Sequence, residues 1–222
     1  MVKAVIFDLD GTLLDRDLSV EKFIAGQHER LNSVLSHIDR LEYTSRFIEL
    51  EKHGYVWKDK VYEQLINEFE IQGMSKEHLL EDYLTYFSDY CTPFSNLIPM
   101  LEDLRNNDIL IGMITNGYTE FQTGNFRALG IEHYFDAILI SEKEELRKPD
   151  KRIFERALER LGVTAEQAIF VGDHPLNDVE ASARAGMIGV WKRNPHWQSA
   201  NADFIIDGLD EIPGLIQKLG SR

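Results

Sequence analysis

Six short apolar runs constrain the fold of this chain more than any other feature of its sequence. They cover residues 2–7, 109–114, 137–140, 168–172, 188–191 and 204–207. Most show little polar alternation, as expected for strands covered on both faces of a parallel sheet. Helical patterns lie between them; the one at 151–162 ends on Gly162 and places on one face Ile153, Phe154, Ala157, Leu158 and Leu161. This alternation predicts an α/β fold with a doubly wound, Rossmann-like parallel sheet.

One long segment, from about Arg16 to Tyr90, contains no convincing strand. Apolar residues there follow three helical stripes: Val20, Phe23, Ile24, Leu31, Val34, Leu35 and Ile38; Trp57, Val61, Leu65 and Phe69; Leu79, Leu80, Tyr83, Leu84 and Phe87. We therefore predict a core domain of residues 1–15 and 93–222 and a helical cap domain of residues 16–92, inserted after the first strand. Because open α/β sheets bind ligands at the carboxyl ends of their strands, an insertion rooted there could act as a lid.

The composition limits where the protein can act and what it can bind. Of 222 residues, 43% are hydrophobic, and the net charge of −14 should repel nucleic acid polymers and anionic membranes. A small phosphorylated molecule is still allowed, since a metal or a lysine can reverse the charge locally. The single cysteine, Cys91, excludes an internal disulfide and favours a reducing compartment. The first apolar run is too short for a signal peptide, and we expect a soluble, cytoplasmic protein.

Two aspartates, Asp8 and Asp10, end the first apolar run, and Gly11 and Thr12 follow them. A plain turn is one interpretation, because Asp, Gly and Thr commonly end strands. Neighbouring carboxylates repel each other, however, unless a cation or a shared proton compensates their charge. Functional pairs of this kind divide their roles, with one ionised and one protonated member. A functional role for both aspartates is therefore the favoured interpretation.

The ends of later apolar runs also carry polar groups. Thr115 and Asn116, with Gly117, could be only a turn, but they offer a hydroxyl, an amide and backbone N–H groups to a phosphate. Lys148 could be an exposed lysine before a helix, or a point charge directed at a phosphate or at carboxylates.

A second acidic pair, Asp173 and Asp178, flanks a tight loop after the fourth run. Oxygen ligands of this kind suit Mg²⁺. Helix capping is the alternative for Asp178, because a helical pattern follows it. Since the carboxyl ends of parallel strands meet at one crevice, we expect all these groups to converge there.

The signatures "DLDGT", "TN", "KP" and "GDHPLND", in this order, resemble those of the haloacid dehalogenase superfamily of hydrolases. The helical insertion resembles the α-helical cap of the subgroup that holds haloacid dehalogenases, phosphoglycolate phosphatases and β-phosphoglucomutases. Residues 112–142 and 148–162 are similar to the branch of pyrimidine 5′-nucleotidases and N-acylneuraminate 9-phosphatases. The resemblance implies a magnesium-dependent hydrolase of phosphoric monoesters, acting on a nucleoside monophosphate or a sugar phosphate.

The same resemblance implies roles for the aspartates. Asp8 would be the nucleophile and would form an aspartyl-phosphate. Asp10 would protonate the leaving oxygen and then deprotonate the attacking water. Mg²⁺ would be held by the Asp8 carboxylate, the Asp10 backbone carbonyl and Asp173, with Asp178 nearby, directly or through water.

Three further residues would bind the phosphoryl group. By the same resemblance, its oxygens would be held by Thr115, the backbone of Asn116 and Lys148. Thr115 and Lys148 would thereby count among the catalytic residues, together with the two aspartates of the first signature.

Three alternatives share parts of this pattern. A phosphomutase of the β-phosphoglucomutase type has the same core motifs. A 2-haloacid dehalogenase is disfavoured, because these enzymes lack the second aspartate and need no metal, whereas Asp10 is present here. A non-enzymatic phospho-acceptor module is disfavoured by the acid pair in the first strand and by the large helical insertion.

The expected partner is a small phosphorylated metabolite, with no nucleic acid polymer and no membrane, and the protein should be a monomer or a homodimer.

Several cap residues could contact the substrate, although ordinary packing or surface roles are favoured for each of them. They are His28, Arg30, Arg46, His53, Tyr55, Trp57 and Lys58. The stretch at 191–197, rich in cations and aromatics, is best interpreted as a loop packed on the edge of the core.

Overall fold

The architecture is taken from a computed structural model, which describes residues 1–220. The chain divides into two compact units, one made of Met1–Asp15 and the chain from Pro93 onward, the other of Arg16–Thr92. No helix among the described residues is long and apolar enough to cross a membrane.

The larger unit contains a six-stranded parallel sheet. Its strands are β1 (Ala4–Phe7), β2 (Leu110–Thr115), β3 (Ala137–Ile140), β4 (Ala168–Gly172), β5 (Ile188–Lys192) and β6 (Phe204–Ile206). Their order is β3-β2-β1-β4-β5-β6, and β1 pairs in register with β2 through Val5↔Ile111 and with β4 through Val5↔Ile169. The predicted doubly wound α/β fold is confirmed. In such a sheet the order reverses beside β1, which puts a ligand crevice at its carboxyl end.

The smaller unit is helical. Its helices are α1 (Arg16–Arg30), α2 (Asn32–Leu35), α3 (Arg40–Glu51), α4 (Lys58–Glu68) and α5 (Lys76–Tyr86), with short 3₁₀ turns at Lys52–Gly54 and Phe87–Tyr90. The predicted stripes identify the inner faces of α1, α4 and α5 but omit α3, which buries Tyr43 and Phe47. Trp57 and Leu84, assigned to inner faces, are exposed; Trp57 precedes α4 at its N-cap position, where the helical spacing does not apply.

Helices also cover the sheet of the larger unit. They are α6 (Leu97–Asn106), α7 (Thr119–Ala128), α8 (Ser141–Glu144), α9 (Lys151–Leu161), α10 (Ala181–Arg184) and α11 (Glu211–Gly220), and a π-helical turn, Pro175–Glu180, precedes α10. The α9 helix begins where the Asp150 side chain accepts from Arg152 N, and it ends at Gly162 in the left-handed conformation. Its predicted apolar face packs against side chains of the sheet, including Ile6, Ile114 and Phe170.

A buried ion cluster joins helices of the smaller unit. Glu51 is 1% exposed and accepts from Arg16 Nη2 at 2.5 Å and from Lys58 Nζ at 2.7 Å. Burial by itself would raise the pKa of Glu51, but hydrogen bonds and attraction from the two cations outweigh it and lower the pKa to about 2. The carboxylate therefore stabilises the fold fully above pH 4.5, its ordinary pKa, and this stabilisation is lost as the pH falls towards 2.

We expect the Glu51→Gln variant to lower the free energy of unfolding by about 3 kcal/mol at neutral pH, since it leaves two poorly hydrated cations without a counter-ion. The deficit relative to wild type should shrink as the pH falls from 4.5 towards 2, because Glu51 gains a proton there in the unfolded wild-type chain before it does so in the folded protein. Urea denaturation followed by circular dichroism measures both. The control is Glu63→Gln, whose exposed carboxylate pairs with Lys60 and Lys76. An equal loss in both variants would contradict a special role for burial.

Candidate active site

Asp8 follows β1 directly and lies in the crevice that the strand order predicts. The residue is 6% exposed. Lys148 Nζ donates to Asp8 Oδ1 at 2.5 Å, and Thr12 Oγ1 donates to Asp8 Oδ2 at 3.4 Å. Burial raises the pKa of Asp8 well above its usual range, against the attraction of Lys148, and repulsion from Asp178 and Asp173 adds to the rise. The negative charge at this position is thus only partly compensated by the protein.

Lys148 is buried between two carboxylates. Its side chain is 3% exposed, and Nζ also donates to Asp178 Oδ1 at 2.6 Å. Burial disfavours the ammonium, but attraction from Asp178 and Asp8 is stronger and raises the pKa of Lys148. The interpretation of Lys148 as an exposed lysine before α9 is therefore wrong, and the lysine is charged within the predicted site.

Asp178 does not cap the helix that follows it, because His174 has that position. His174 Nδ1 accepts from Leu176 N at 3.1 Å and from Asn177 N at 3.2 Å. Asp178 Oδ2 instead accepts from His174 N at 3.0 Å, which turns the carboxylate back over the end of β4. Gly172 makes this possible, since a Cβ there would overlap the Asp178 side chain. The alternative of a simple cap at Asp178 is overturned.

Asp173 is held from the end of β5 and from the loop that follows it. Asn194 Nδ2 donates to Asp173 Oδ2 at 2.6 Å, and Trp191 Nε1 donates to the Asp173 carbonyl at 2.8 Å. Burial, with repulsion from Asp178, raises the pKa of Asp173 to about 7 despite the hydrogen bond from Asn194. The side chain is thereby fixed in a setting that disfavours its negative charge.

Three of the predicted metal ligands form one cluster. Carboxylate oxygens of Asp8, Asp173 and Asp178 all lie within 4.8 Å of one another. Their mutual repulsion, together with the raised pKa values of Asp8 and Asp173, is what a divalent cation would relieve. Three carboxylate oxygens are also ligands of the hard type that such cations prefer. The residues present therefore fit a divalent metal ion. Asp10 is not part of this carboxylate cluster.

Asp10 and Thr115 are linked by a residue that the sequence interpretation did not select. Gln122, on α7, donates from Nε2 to Asp10 Oδ2 at 2.7 Å and to Thr115 Oγ1 at 2.5 Å. Thr115, at the end of β2, is 1% exposed. The structure thus brings the predicted acid–base aspartate and the predicted phosphate-binding hydroxyl to one buried amide.

The side chain of Asn116 binds the backbone of Lys148. Its Nδ2 donates to the Lys148 carbonyl at 3.0 Å, and its Oδ1 accepts from Lys148 N at 2.9 Å. This reciprocal pair fixes the backbone that carries the lysine. The predicted phosphate contact of Asn116 concerns its backbone and stays a prediction.

Three buried or half-buried residues near the cluster were missed: Gln122, Asn194 and Lys192. Lys192 is 4% exposed; its ammonium donates to the Gly11 carbonyl at 3.2 Å, and burial lowers its pKa. A signal existed for Asn194 and Lys192, because Lys192 ends β5 and Asn194 follows it at the same edge of the sheet as Asp173. Both lie in the stretch 191–197, which the sequence shows to be rich in cations and aromatics. Gln122 gave only a weak signal, since it lies seven residues past Thr115, within a helix.

Four of the cap residues suggested as substrate contacts, namely Arg30, Arg46, Lys58 and His28, have partners within their own unit. Arg30 pairs with Asp82, Arg46 pairs with Glu49 and Glu68, and Lys58 pairs with Glu51. His28 is buried and has its Nε2 at 2.9 Å from the Ile38 carbonyl. These contacts are consistent with the packing roles that the sequence favoured, and they single out no substrate residue.

Comparison with known proteins places this site in a family. Residues 5–191 match the haloacid dehalogenase-like hydrolase family. The chain is 29% identical over 238 residues to a glyceraldehyde 3-phosphate phosphatase of Methanopyrus kandleri, with 99% of each chain covered. It is 29% identical over 210 residues to the pyrimidine 5′-nucleotidase PynA of Streptococcus pneumoniae, covering 87% of this chain and 84% of PynA.

A solved structure supports the same assignment. The crystal structure of a HAD phosphatase from Thermococcus onnurineus superposes with a TM-score of 0.67 at 28% identity, covering 97% of this chain and 98% of the other. The chain therefore belongs to the haloacid dehalogenase-like hydrolase family. The predicted family is confirmed, and so is the expectation of a hydrolase, since these relatives are named as phosphatases and a nucleotidase of phosphoric monoesters.

Proposed function

We propose that this protein is a Mg²⁺-dependent phosphatase that hydrolyses a small phosphate monoester through an aspartyl-phosphate on Asp8. Phosphatase activity on small phosphate esters is what its named relatives support. The requirement for Mg²⁺ and the covalent intermediate on Asp8 go beyond what the names of the relatives support. The observation that carries them is the convergence of Lys148 with three carboxylates, those of Asp8, Asp173 and Asp178, at one edge of the sheet.

Asp8 is the proposed nucleophile because it directly follows the central strand β1 and accepts a hydrogen bond from Lys148. Its carboxylate attacks phosphorus, the bond from phosphorus to the leaving oxygen breaks, and Asp10 supplies the proton to that oxygen. Water then attacks the aspartyl-phosphate, Asp10 takes its proton, and inorganic phosphate and the Asp8 carboxylate are regenerated. The hydrogen bond that Gln122 donates to Asp10 Oδ2 supports this proposed role, because it restrains the Asp10 side chain.

Positive charge is needed for both steps, since the nucleophile and the phosphoryl group are both anionic. Lys148 supplies one such charge within 2.5 Å of Asp8 Oδ1. Thr115 and the Asn116 backbone are proposed to hold the remaining phosphoryl oxygens. Mg²⁺, held by Asp8, Asp173, Asp178 and the Asp10 carbonyl, would offset the charge of nucleophile and phosphate.

The substrate class is proposed from chemistry and from the relatives. A nucleoside monophosphate or a sugar phosphate is small enough for a single crevice and anionic enough for Lys148. Both substrate classes are represented among the relatives, one of which is named for glyceraldehyde 3-phosphate and another for pyrimidine 5′-nucleotides. The net charge of −14 disfavours polymeric nucleic acid and membranes as partners. We also propose a cytoplasmic location, on the basis of the single cysteine, and a monomeric or homodimeric state.

A phosphomutase is the second candidate, because it would use the same core residues and return the phosphoryl group to a bound sugar phosphate. Formation of an isomerised sugar phosphate without free phosphate would favour it. Dehalogenation stays disfavoured, because Asp10 is present and is hydrogen-bonded beside the nucleophile strand. A phospho-acceptor module without enzymatic turnover is disfavoured by the family.

Metal removal tests the proposal directly. We expect the protein to release phosphate from at least one ester in a panel of nucleotides, sugar phosphates, glyceraldehyde 3-phosphate and phosphoglycolate when Mg²⁺ is present. EDTA should reduce this release by about 100-fold or more, and excess Mg²⁺ should restore it. Malachite green detection of phosphate measures the rate, and isothermal titration calorimetry measures Mg²⁺ binding. Full activity in EDTA would refute the metal requirement.

A further inference from the structure

The buried side-chain amide of Gln122 contacts both Asp10, the proposed acid and base, and Thr115, a proposed phosphate-binding residue. We propose that Gln122 is a positioning residue, which fixes the Asp10 carboxylate and directs the Thr115 hydroxyl so that its hydrogen is free for a phosphoryl oxygen. This inference rests on the proposed phosphatase function and adds to it a residue outside the four signatures.

The direction of the hydrogen bonds follows from the chemistry of the partners. Asp10 Oδ2 accepts from the amide nitrogen of Gln122 at 2.7 Å, so the proton that Asp10 transfers in the proposed reaction belongs on its other oxygen. The same nitrogen lies 2.5 Å from Thr115 Oγ1. Because an amide nitrogen only donates, the threonine oxygen must accept here, and its own hydrogen must point elsewhere. The hydroxyl thus becomes a donor to any anion bound beside β2.

The surroundings of Gln122 hold it in this orientation. The residue is 2% exposed, and Asn125 Nδ2 donates to its Oε1 at 3.4 Å, which matches the assignment of oxygen and nitrogen. A Cβ at Gly117 would lie only 2.7 Å from Gln122 Cγ. Gly117 therefore leaves room for the side chain to reach across the turn that follows β2.

Two substitutions separate shape from hydrogen bonding. Gln122→Met keeps the length of the side chain but removes its donors, and Gln122→Glu keeps the shape but sets a carboxylate against Asp10. We expect kcat to fall about 10- to 100-fold in the first and further in the second, with KM changed less than about threefold. Gly117→Ala should have a similar effect, because its methyl group would displace Gln122.

A matched control separates positioning from stability. Gln167→Met removes an amide of the same size, which completes a capping box with Thr164 at the opposite, amino-terminal edge of the sheet. This variant should lower the urea midpoint but leave kcat within about twofold. If Gln122→Met lowers kcat no more than Gln167→Met does, the proposal is overturned.

A double-mutant cycle tests whether Gln122 acts through Thr115. The Gln122→Met/Thr115→Val double variant should lose less kcat than the product of the two single losses, since the part of the Gln122 effect that acts through the Thr115 hydroxyl is already gone and only its contact with Asp10 is left to lose. Multiplicative losses would show that Gln122 acts independently and would overturn the inference.

A spectroscopic readout does not depend on turnover. The side-chain amide proton resonances of Gln122 should shift in Thr115→Val and in Asp10→Asn protein, but not in Gln167→Met protein. Unmoved resonances would refute the hydrogen bonds themselves. If the wild-type protein releases no phosphate from any ester, but the Gln122 resonances do shift in the two variants, the phosphatase proposal fails while the hydrogen bonds of Gln122 stand.

Discussion

We expect the Asp8→Asn variant to lose phosphatase activity by about 10³-fold or more while remaining folded. The amide of asparagine is a poor nucleophile and cannot form an acyl phosphate under turnover conditions. A covalent intermediate therefore provides a second measurement. After an acid quench during turnover, mass spectrometry should find phosphate on the peptide containing Asp8 in wild type and none in the variant.

Stability should separate loss of chemistry from loss of fold. The pKa of Asp8 is raised in the folded state, so its stabilising contribution is complete below its ordinary pKa and is lost as the pH rises through the folded value. At neutral pH in EDTA, the buried charge therefore costs folding free energy, and Asp8→Asn removes that cost. We expect a urea midpoint equal to or above that of wild type.

The control for Asp8 is Asp108→Asn, an exposed aspartate that precedes β2 at the opposite edge of the sheet. It should retain full activity and an unchanged urea midpoint. If Asp8→Asn hydrolyses the same ester at a rate comparable to this control, Asp8 is not the nucleophile, and the aspartyl-phosphate mechanism fails.

The sheet could be predicted from the sequence because its strands are buried on both faces. Residues 137–140 and 168–172 were located to the residue, since an apolar run bounded by polar residues leaves little freedom of register. The helix α3 was missed because its charged residues obscure the stripe around Tyr43 and Phe47. Trp57 was wrongly assigned to an inner face because its spacing was counted as helical, whereas it lies at the N-cap position of α4 and is exposed.

The topology alone could place only the candidate residues at strand ends. Asp8 and Asp173 follow strands directly and Thr115 ends one, so parallel pairing brings them to one edge of the sheet. Lys148 and Asp178 were expected there from the motifs that contain them. Gln122 could not be placed in this way, because its contact with Asp10 depends on how α7 folds back over that edge. Asn194 follows β5 at the same edge, but its bond to Asp173 depends on the conformation of the loop after β5. Long-range hydrogen bonds of this kind leave no periodic pattern in the sequence.

The Lys148→Met variant should lose both activity and stability, because one ammonium balances two buried carboxylates. We expect a fall in kcat of about 10³-fold, since the anionic nucleophile and phosphoryl group would meet without the cation between them. Removing one member of a buried ion cluster should also lower the free energy of unfolding by about 3 kcal/mol in EDTA. Urea denaturation and phosphate release measure the two effects separately.

Mg²⁺ should restore part of the stability of Lys148→Met but little of its activity. A divalent cation can compensate the crowded charges of Asp8, Asp173 and Asp178, whose oxygens lie within 4.8 Å of one another. It cannot also supply the donor that Lys148 directs at the nucleophile. The control is Lys151→Met, three residues along the chain, where an exposed lysine pairs only with Glu155 among the ion pairs of the described residues. If Lys148→Met unfolds like this control in EDTA, the buried cation does not hold the carboxylates together.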